Sequence, residues 1–403
     1  MATLNLKQQK ALEAMKAGKN IFLTGGAGVG KSFLVKEFIS WAKKEGKNVA
    51  VCAPTGIAAL NVGGVTCHSA FRLPLGPVPI EEVKNVKIGV DTIIIDEVSM
   101  LRFDTFGRIV KILLAQEKRP QLILVGDFYQ LPPVIMPRDR STLEEYYPGA
   151  KIGKGFAFQS GAWKAYGIET IELTESVRQK DDDGFAAALN AVRVSDFKGI
   201  EYIVNHSSKH KFVDGVALCP TNKEADNINL NKLSAIRNKS RMYYAFWKGE
   251  VNPGDYPAAT RIELKVGARV IICGNDSEGK YCNGSQGTVT QLFEDSVTVE
   301  LDNGNKVNVK RFTWKAFTNA GGEQVEIGSY NQIPVKLGWA ITVHKSQGMT
   351  LEKVNLNPKM FEVGQLYVAL SRLTKAEGLF INGSITPNDL RVSEEVKNFY
   401  GKL

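Results

Sequence analysis

The chain has 403 residues, 43% of them hydrophobic and 23% charged, the composition of a globular protein with room for two or three cores. No apolar run reaches the length of a membrane span, no signal peptide opens the chain, and the five cysteines (Cys52, Cys67, Cys219, Cys273, Cys282) form no C-x-x-C pair. A membrane protein, a disulfide framework and a zinc site are therefore set aside for a reducing cytoplasm, and a formal charge of +9 hints at a polyanionic partner.

In chain order, residues 4–15 (LNLKQQKALEAM) predict a helix that Asn5 can cap, with Leu6, Ala11, Leu12 and Met15 at helical spacing. For Gln8 and Gln9 the plain reading is solvent exposure. Next comes NIFLTGGAGVGKSF, Asn20 to Phe33, on which the chain is organised. Ile21 to Thr24 read as a buried strand, and a helical pattern resumes from Lys31 through Trp41. Between them Gly25, Gly26, Ala27, Gly28, Val29, Gly30, Lys31 and Ser32 fit G-x-x-x-x-G-K-[ST]. Glycines let successive backbone N–H groups converge on phosphate oxygens, and the helix start adds its positive dipole end. Lys31 would reach the β- and γ-phosphates and Ser32 would hold Mg²⁺. The chain is expected to bind a nucleoside triphosphate.

A second strand is predicted over Asn48 to Cys52, followed by Ala53-Pro54-Thr55-Gly56 and a helix over Ile57 to Val62. From Phe71 to Asp91 the pattern lapses into a proline-rich excursion, either a connector or a small protruding element. TIIIDE, residues 92–97, forms a third buried strand ending in two acids. Ligands bind beyond the carboxyl ends of parallel strands, so Asp96 is placed to meet the metal and Glu97 to activate water. A fourth strand, Gln121 to Val125, leads to Gln130, which is placed to report on the γ-phosphate. Strand–helix alternation from Ile21 to Val125 predicts a parallel sheet covered on both faces, an α/β fold.

IELTESVRQK, residues 171–180, reads as a strand ending near Arg178. Helices follow over Gly184–Val194 and Asp196–His206, then a strand over Gly215–Pro220 and another helix. From Arg241 to about Ile333 short alternating runs, with a hairpin turn at Asp302-Asn303-Gly304-Asn305, predict a small all-β insert, read as a barrel. The α/β alternation resumes at Pro334–Ile341, Lys353–Leu356 and Gly378–Ile381. Within it, Thr342 to Thr350 crowds hydrogen-bond donors where a strand meets a helix, and Arg372 ends an apolar helical stripe. A second lobe closing on the γ-phosphate needs such cations, so Arg178 and Arg372 are singled out.

Taken together, the motifs resemble superfamily-one helicases of subgroup B, of the petite-integration-frequency (Pif) type, with RecD and the phage Dda helicase as more distant relatives. LNLKQ is similar to the Q motif, GGAGVGKS to motif I, APTGIAA and GVTCHS to Ia and Ib, and IIDEVSM to II. GDFYQLPPV is similar to motif III, LTESVRQ to IV, AITVHKSQGMTL to V and YVALSR to VI.

The resemblance implies two RecA-like P-loop NTPase lobes. Residues 1–165 would form the first, with a wedge-bearing excursion at 71–91. Residues 166–403 would form the second, with an SH3-like insert over about 241–333. It implies ATP and Mg²⁺ as cofactors, Gln8 as adenine reader, and Gly348, Gln130, Arg178 and Arg372 in the nucleotide site. It implies 5′→3′ movement of a monomer on single-stranded DNA and at single-strand/duplex junctions, in the cytoplasm or on a bacterial nucleoid. Strand contacts are expected from Pro54, Thr55, His68, Lys336, Thr342, His344 and Lys345, and from Phe71 by stacking unless it is core. A translocase that strips proteins without efficient unwinding, a nucleotide-gated binder and an RNA helicase are the alternative readings.

Overall fold

The computed structural model describes residues 4–74, 76–79, 86–175, 182–276, 278–281, 283–320 and 323–402. Six strands, β1 (Ile21–Gly25), β2 (Val49–Ala53), β3 (Val65–Thr66), β4 (Thr92–Ile95), β5 (Gln121–Val125) and β6 (Glu169–Leu173), form one parallel sheet in the order β3-β2-β4-β5-β1-β6. Every residue of β1 and β4 is buried, as continuous apolar strands under helices require. Because all six strands run the same way, the loops that follow β1, β4 and β5 leave along one edge.

Helix α1 (Leu6–Lys16) starts with a reciprocal cap. Asn5 Oδ1 accepts the Gln8 N–H at 2.8 Å, and Gln8 Oε1 accepts the Asn5 N–H at 3.1 Å. Helix α2 (Lys31–Lys44) follows β1 through the phosphate loop and buries Leu34, Val35, Phe38 and Ala42 against the sheet.

A second parallel sheet holds Val216–Cys219 between Ala340–Thr342 and Val354–Leu356, with Leu379–Ile381 outermost. Its other edge strand, 340–342, is closed by a side chain. Asn229, on helix Asn222–Ser234, donates to the Ala340 carbonyl at 2.7 Å and accepts the Ala340 N–H at 3.0 Å. Between the second sheet's strands, residues 240–337 form antiparallel sheets of two, five and three strands around one core that includes Tyr243, Trp314 and Tyr330. Gly304, at φ 85°, turns the expected hairpin.

Three expectations are corrected. β6 pairs with β1 along its whole length, so a boundary at 165/166 would cut the first sheet; the sequence shows that a strand exists but not which sheet it joins. The antiparallel region runs from Ser240 to Leu337, slightly beyond 241–333. Phe71 is 1% exposed in the main core and has no free face for a base, so the stacking role falls to the core alternative. Arg178, and residues 75 and 80–85 of the 71–91 excursion, lie outside the described residues. Among the described residues the excursion holds no helix or strand beyond Phe71. It is fixed by polar contacts such as Val78 N–H to Asp104 at 2.8 Å and Tyr147 O–H to the Val78 carbonyl at 2.7 Å.

The last helix, Glu394–Tyr400, returns to the first sheet. Phe399 packs 4.4 Å from Phe158 and 5.5 Å from Phe128, and its ring lies 6.2 Å from Phe22 of β1.

Replacing Asn229 by alanine strips both groups from a buried edge peptide. Asn229→Ala is expected to lower unfolding free energy by about 1–3 kcal/mol, read by urea denaturation.

Candidate active site

The phosphate loop is shaped by close packing. Gly25 sits at φ 138°, where a Cβ would collide with the Leu173 carbonyl of β6, so only glycine fits. Gly28 and Gly30 also take positive φ, at 79° and 89°, and Gly30 caps α2. Lys31 Nζ donates to the Gly25 and Gly26 carbonyls at 2.7 and 2.9 Å. Burial lowers its pKa, while Asp127 and Glu97 nearby pull the other way. Gln8 is buried rather than exposed, and its Nε2 donates to the Val29 carbonyl at 3.1 Å. An amide offers two hydrogens and two lone pairs, so one of each remains after these contacts.

The loop faces a cavity of about 340 Å³ lined by Ala27 through Phe33, Asp96, Glu97, Gly126, Gln130, Gly348 and Arg372. The parallel strand order gathers most of these groups, since β1, β4 and β5 are neighbours. Glu97 takes φ 50° at the end of β4, a left-handed conformation uncommon outside glycine, and its N–H donates to Asp96 Oδ1 at 2.9 Å. Burial raises the Asp96 pKa. Burial, then the neighbouring Asp96, pushes the Glu97 carboxyl up to about 7, against the pull of Lys31 and Arg372. A carboxyl poised near neutrality is suited to take a proton.

Arg372, 3% exposed, enters from the far side of the cavity. Its guanidinium is steered by the Val368 carbonyl at 3.0 Å and the Ser371 hydroxyl at 2.8 Å. Gln130 Oε1 accepts from Gln347 Nε2 at 3.3 Å, so the segments after β5 and after strand 340–342 touch beside the cavity. Gln347 Oε1 is buried and finds no partner among the described residues.

The expected strand contacts divide into two groups. Thr55, His344 and Lys345 line a second cavity of about 340 Å³ together with Ser32, Asp96 and Glu97. Lys345 also lines two larger cavities with Lys336, of about 520 and 810 Å³, the latter with Thr342. Pro54 and His68 line none of these. His68 instead sits near Arg102, Asp104 and Asp255, and burial lowers its pKa; burial also lowers that of His344. Trp314 and Lys315, which the sequence did not single out, line the 520 Å³ cavity.

The model of the PIF1-like helicase family matches residues 3–204. The chain belongs to that family. The ATP-dependent DNA helicase Pif1 of Bdellovibrio bacteriovorus is 32% identical, over 98% of this chain and 91% of that protein. The crystal structure of Bacteroides sp Pif1 in complex with ADP-AlF4 superposes with a TM-score of 0.85 at 33% identity, covering 100% of this chain and 97% of that one. The Pif1 helicase from Bacteroides in complex with ADP-AlF3 and ssDNA gives a TM-score of 0.72 at 33% identity and the same coverages.

In this PIF1-like helicase the sequence reading missed Arg193, Tyr367 and Tyr400, which surround Asp127 behind the loop. Arg193 merely ends an amphipathic helix in sequence, and its partner lies 66 residues away. Tyr367 opens the YVALSR stretch, and that position was the available signal.

With its pKa pushed up to about 7, Glu97 holds its proton in a growing share of molecules as pH falls below that value, and the protonated carboxyl cannot act as a base. ATPase kcat/KM is therefore expected to rise about tenfold from pH 6 to pH 8 and then level off, the limb vanishing in Glu97→Gln. A flat wild-type profile over that range would assign proton removal elsewhere.

Proposed function

We propose that this chain is an ATP-dependent DNA helicase that moves 5′→3′ along single-stranded DNA and opens duplex ahead of it. The observation that carries this reading is the shared wall between two cavities. Ser32, Asp96 and Glu97 face the nucleotide cavity on one side and, on the other, a cavity they share with Thr55, His344 and Lys345. A change at the nucleotide has a short mechanical route to a bound strand. The names of the curated relatives support the substrate, and the 5′→3′ polarity rests on the family resemblance.

In this reading two RecA-like lobes divide after Leu173, and residues 240–337 are the SH3-like insert of the second. The loop amides hold phosphates, and Lys31 swings from the Gly25 and Gly26 carbonyls onto them. Ser32 and Asp96 line one cavity and offer a hydroxyl and a carboxylate, hard oxygen donors that suit Mg²⁺. The metal would neutralise phosphate charge. Glu97 takes the proton of the attacking water, Gln130 senses the γ-phosphate, and Gly348 closes the wall. Arg372 stabilises developing charge from the second lobe, joined by Arg178. Gln8 supports the loop through Val29 and has one hydrogen and one lone pair left for adenine. Lys336 and Lys345 supply charge to the strand, while Thr55, Thr342 and His344 supply neutral donors, with Pro54 and His68 at the margin. The protein acts as a monomer.

Unwinding of matched duplexes with 5′ or 3′ single-stranded overhangs tests the proposal directly. Product is expected from the 5′ overhang alone; ATP turnover without strand separation would instead favour a translocase that strips bound proteins. Arg372→Ala is expected to lose most of the oligo-dT-stimulated ATPase, about 10³-fold or more if it acts on transition-state charge, while still binding ATP and DNA. Equal stimulation of wild type and variant would remove Arg372 from the mechanism.

A further inference from the structure

Behind the phosphate loop lies a buried cluster of charged and phenolic groups that the mechanism above does not use. Asp127, fully buried, comes two residues after β5. Arg193, the last residue of helix Asp183–Arg193, grips it with Nε 3.2 and 3.0 Å from its two oxygens and Nη2 at 3.1 Å. Arg193 Nη1 reaches Glu172 of β6 at 2.8 Å. The Arg193 guanidinium lies 4.8 Å from the Tyr129 ring and 5.5 Å from that of Tyr400, two rings stacked at 4.9 Å.

Tyr367 completes the cluster from helix Gln365–Leu370. Its hydroxyl is 3.3 Å from Asp127 Oδ2 and accepts the Ala27 N–H of the phosphate loop at 2.8 Å. A phenol beside a carboxylate donates its O–H hydrogen bond to that carboxylate, which leaves an oxygen lone pair directed at the amide. The chain Asp127–Tyr367–Ala27 therefore has a fixed polarity. There is little slack in it: a Cβ at Gly26 would come within 3.0 Å of Asn190 Oδ1 and 3.5 Å of Tyr367 Oη. Loop backbone meets the side chains of helices Asp183–Arg193 and Gln365–Leu370 directly.

We infer that Tyr367 is a positioning residue for ATP hydrolysis, tying the Ala27 peptide of the phosphate loop to the segment that carries Arg372. This rests on the ATPase reading above. Ala27 and Arg372 line the same cavity, and Tyr367 lies in the short helix Gln365–Leu370, with Arg372 five residues on, directly after the helix's Ser371 cap. The hydroxyl thus sets the distance between the loop that holds the phosphates and the cation that meets them during transfer. Small errors in that distance are costly for the chemical step and cheap for ground-state binding. The amides of Gly28 to Ser32, which would hold a diphosphate, are not those Tyr367 touches.

The test compares wild type, Tyr367→Phe and Tyr400→Phe in the full chain. Tyr400 gives a control in the same cluster: its hydroxyl pairs with Thr24 Oγ1 at 2.7 Å and accepts the Phe128 N–H at 3.3 Å, and it does not touch the Ala27 amide. The readouts are oligo-dT-stimulated kcat, affinity for ADP, affinity for ADP with aluminium fluoride, and melting temperature. Tyr367→Phe is expected to lose about tenfold in kcat and in affinity for the aluminium fluoride complex, the worth of one well-placed hydrogen bond, with ADP affinity within about twofold of wild type. Tyr400→Phe is expected to lower only the melting temperature. Wild-type kcat and analogue affinity in Tyr367→Phe would overturn the inference. So would equal losses for ADP and its aluminium fluoride complex, or the same kcat loss in Tyr400→Phe, since either marks a packing role. A wild-type protein with no DNA-stimulated turnover would defeat the functional reading itself, and the inference with it.

Discussion

Three carboxyl groups meet at the carboxyl edge of the first sheet, and their burial constrains everything packed above it. Asp127 is fully buried, Asp96 is 9% exposed and Glu97 is half-buried. An ionised acid withdrawn from water costs several kcal/mol unless a partner compensates it. Lys31 serves that purpose from within the loop, while Arg193 and Arg372 come from elements beyond residue 182. The first sheet can bury these acids only where the later helices close over it. Site assembly and packing between the two sheets are therefore one electrostatic problem. Its solution is uneven: Asp127 takes the full grip of Arg193, whereas among the described residues Glu97 has no such clamp and burial pushes its carboxyl up to about 7. Two environments set these neighbouring acids apart.

Most of the nucleotide side was legible because its signals are local. Spacing alone gave the phosphate loop, the wholly apolar run before Asp96 and Glu97, and the strand leading to Gln130. The cap at Asn5 was legible too, and its reciprocal partner Gln8 was three residues away in plain view. Pairing across the sheet is not local. Ile171 to Leu173 reads as a strand in any context, and only its register with Leu23 to Gly25 places it in the first sheet. Phe71 shows the same limit for side chains, since an aromatic before a proline-rich stretch looks alike whether it faces a base or a core.

The side proposed to face the strand was less legible for a physical reason. Groups that grip a backbone are hydroxyls, amides and lone cations, each of which also occurs as an ordinary surface residue. Lys345 stands out only once three cavities converge on it, and Lys336 once two of them do. The clamp on Asp127 was invisible for a different reason. Arg193 closes a helix whose apolar spacing accounts for its neighbours and leaves the arginine unexplained, and its partner belongs to another sheet.

The segment from Thr342 to Gly348 shows how little structure separates the two sides. Thr342 Oγ1 accepts the Lys345 N–H at 3.3 Å, and Ser346 Oγ donates to the Val343 carbonyl at 2.8 Å, closing one tight turn. His344 and Lys345 face the cavity shared with Thr55, Gln347 touches Gln130, and Gly348 lines the nucleotide cavity. Consecutive residues of one hydrogen-bonded turn cannot shift on one side and stay fixed on the other, because packed interiors yield little. A displacement of Gln130 would reach Lys345 through Gln347 and two peptide bonds. The turn that touches Gln130 and lines the phosphate-loop cavity is thus the same turn that lines the cavity shared with Thr55.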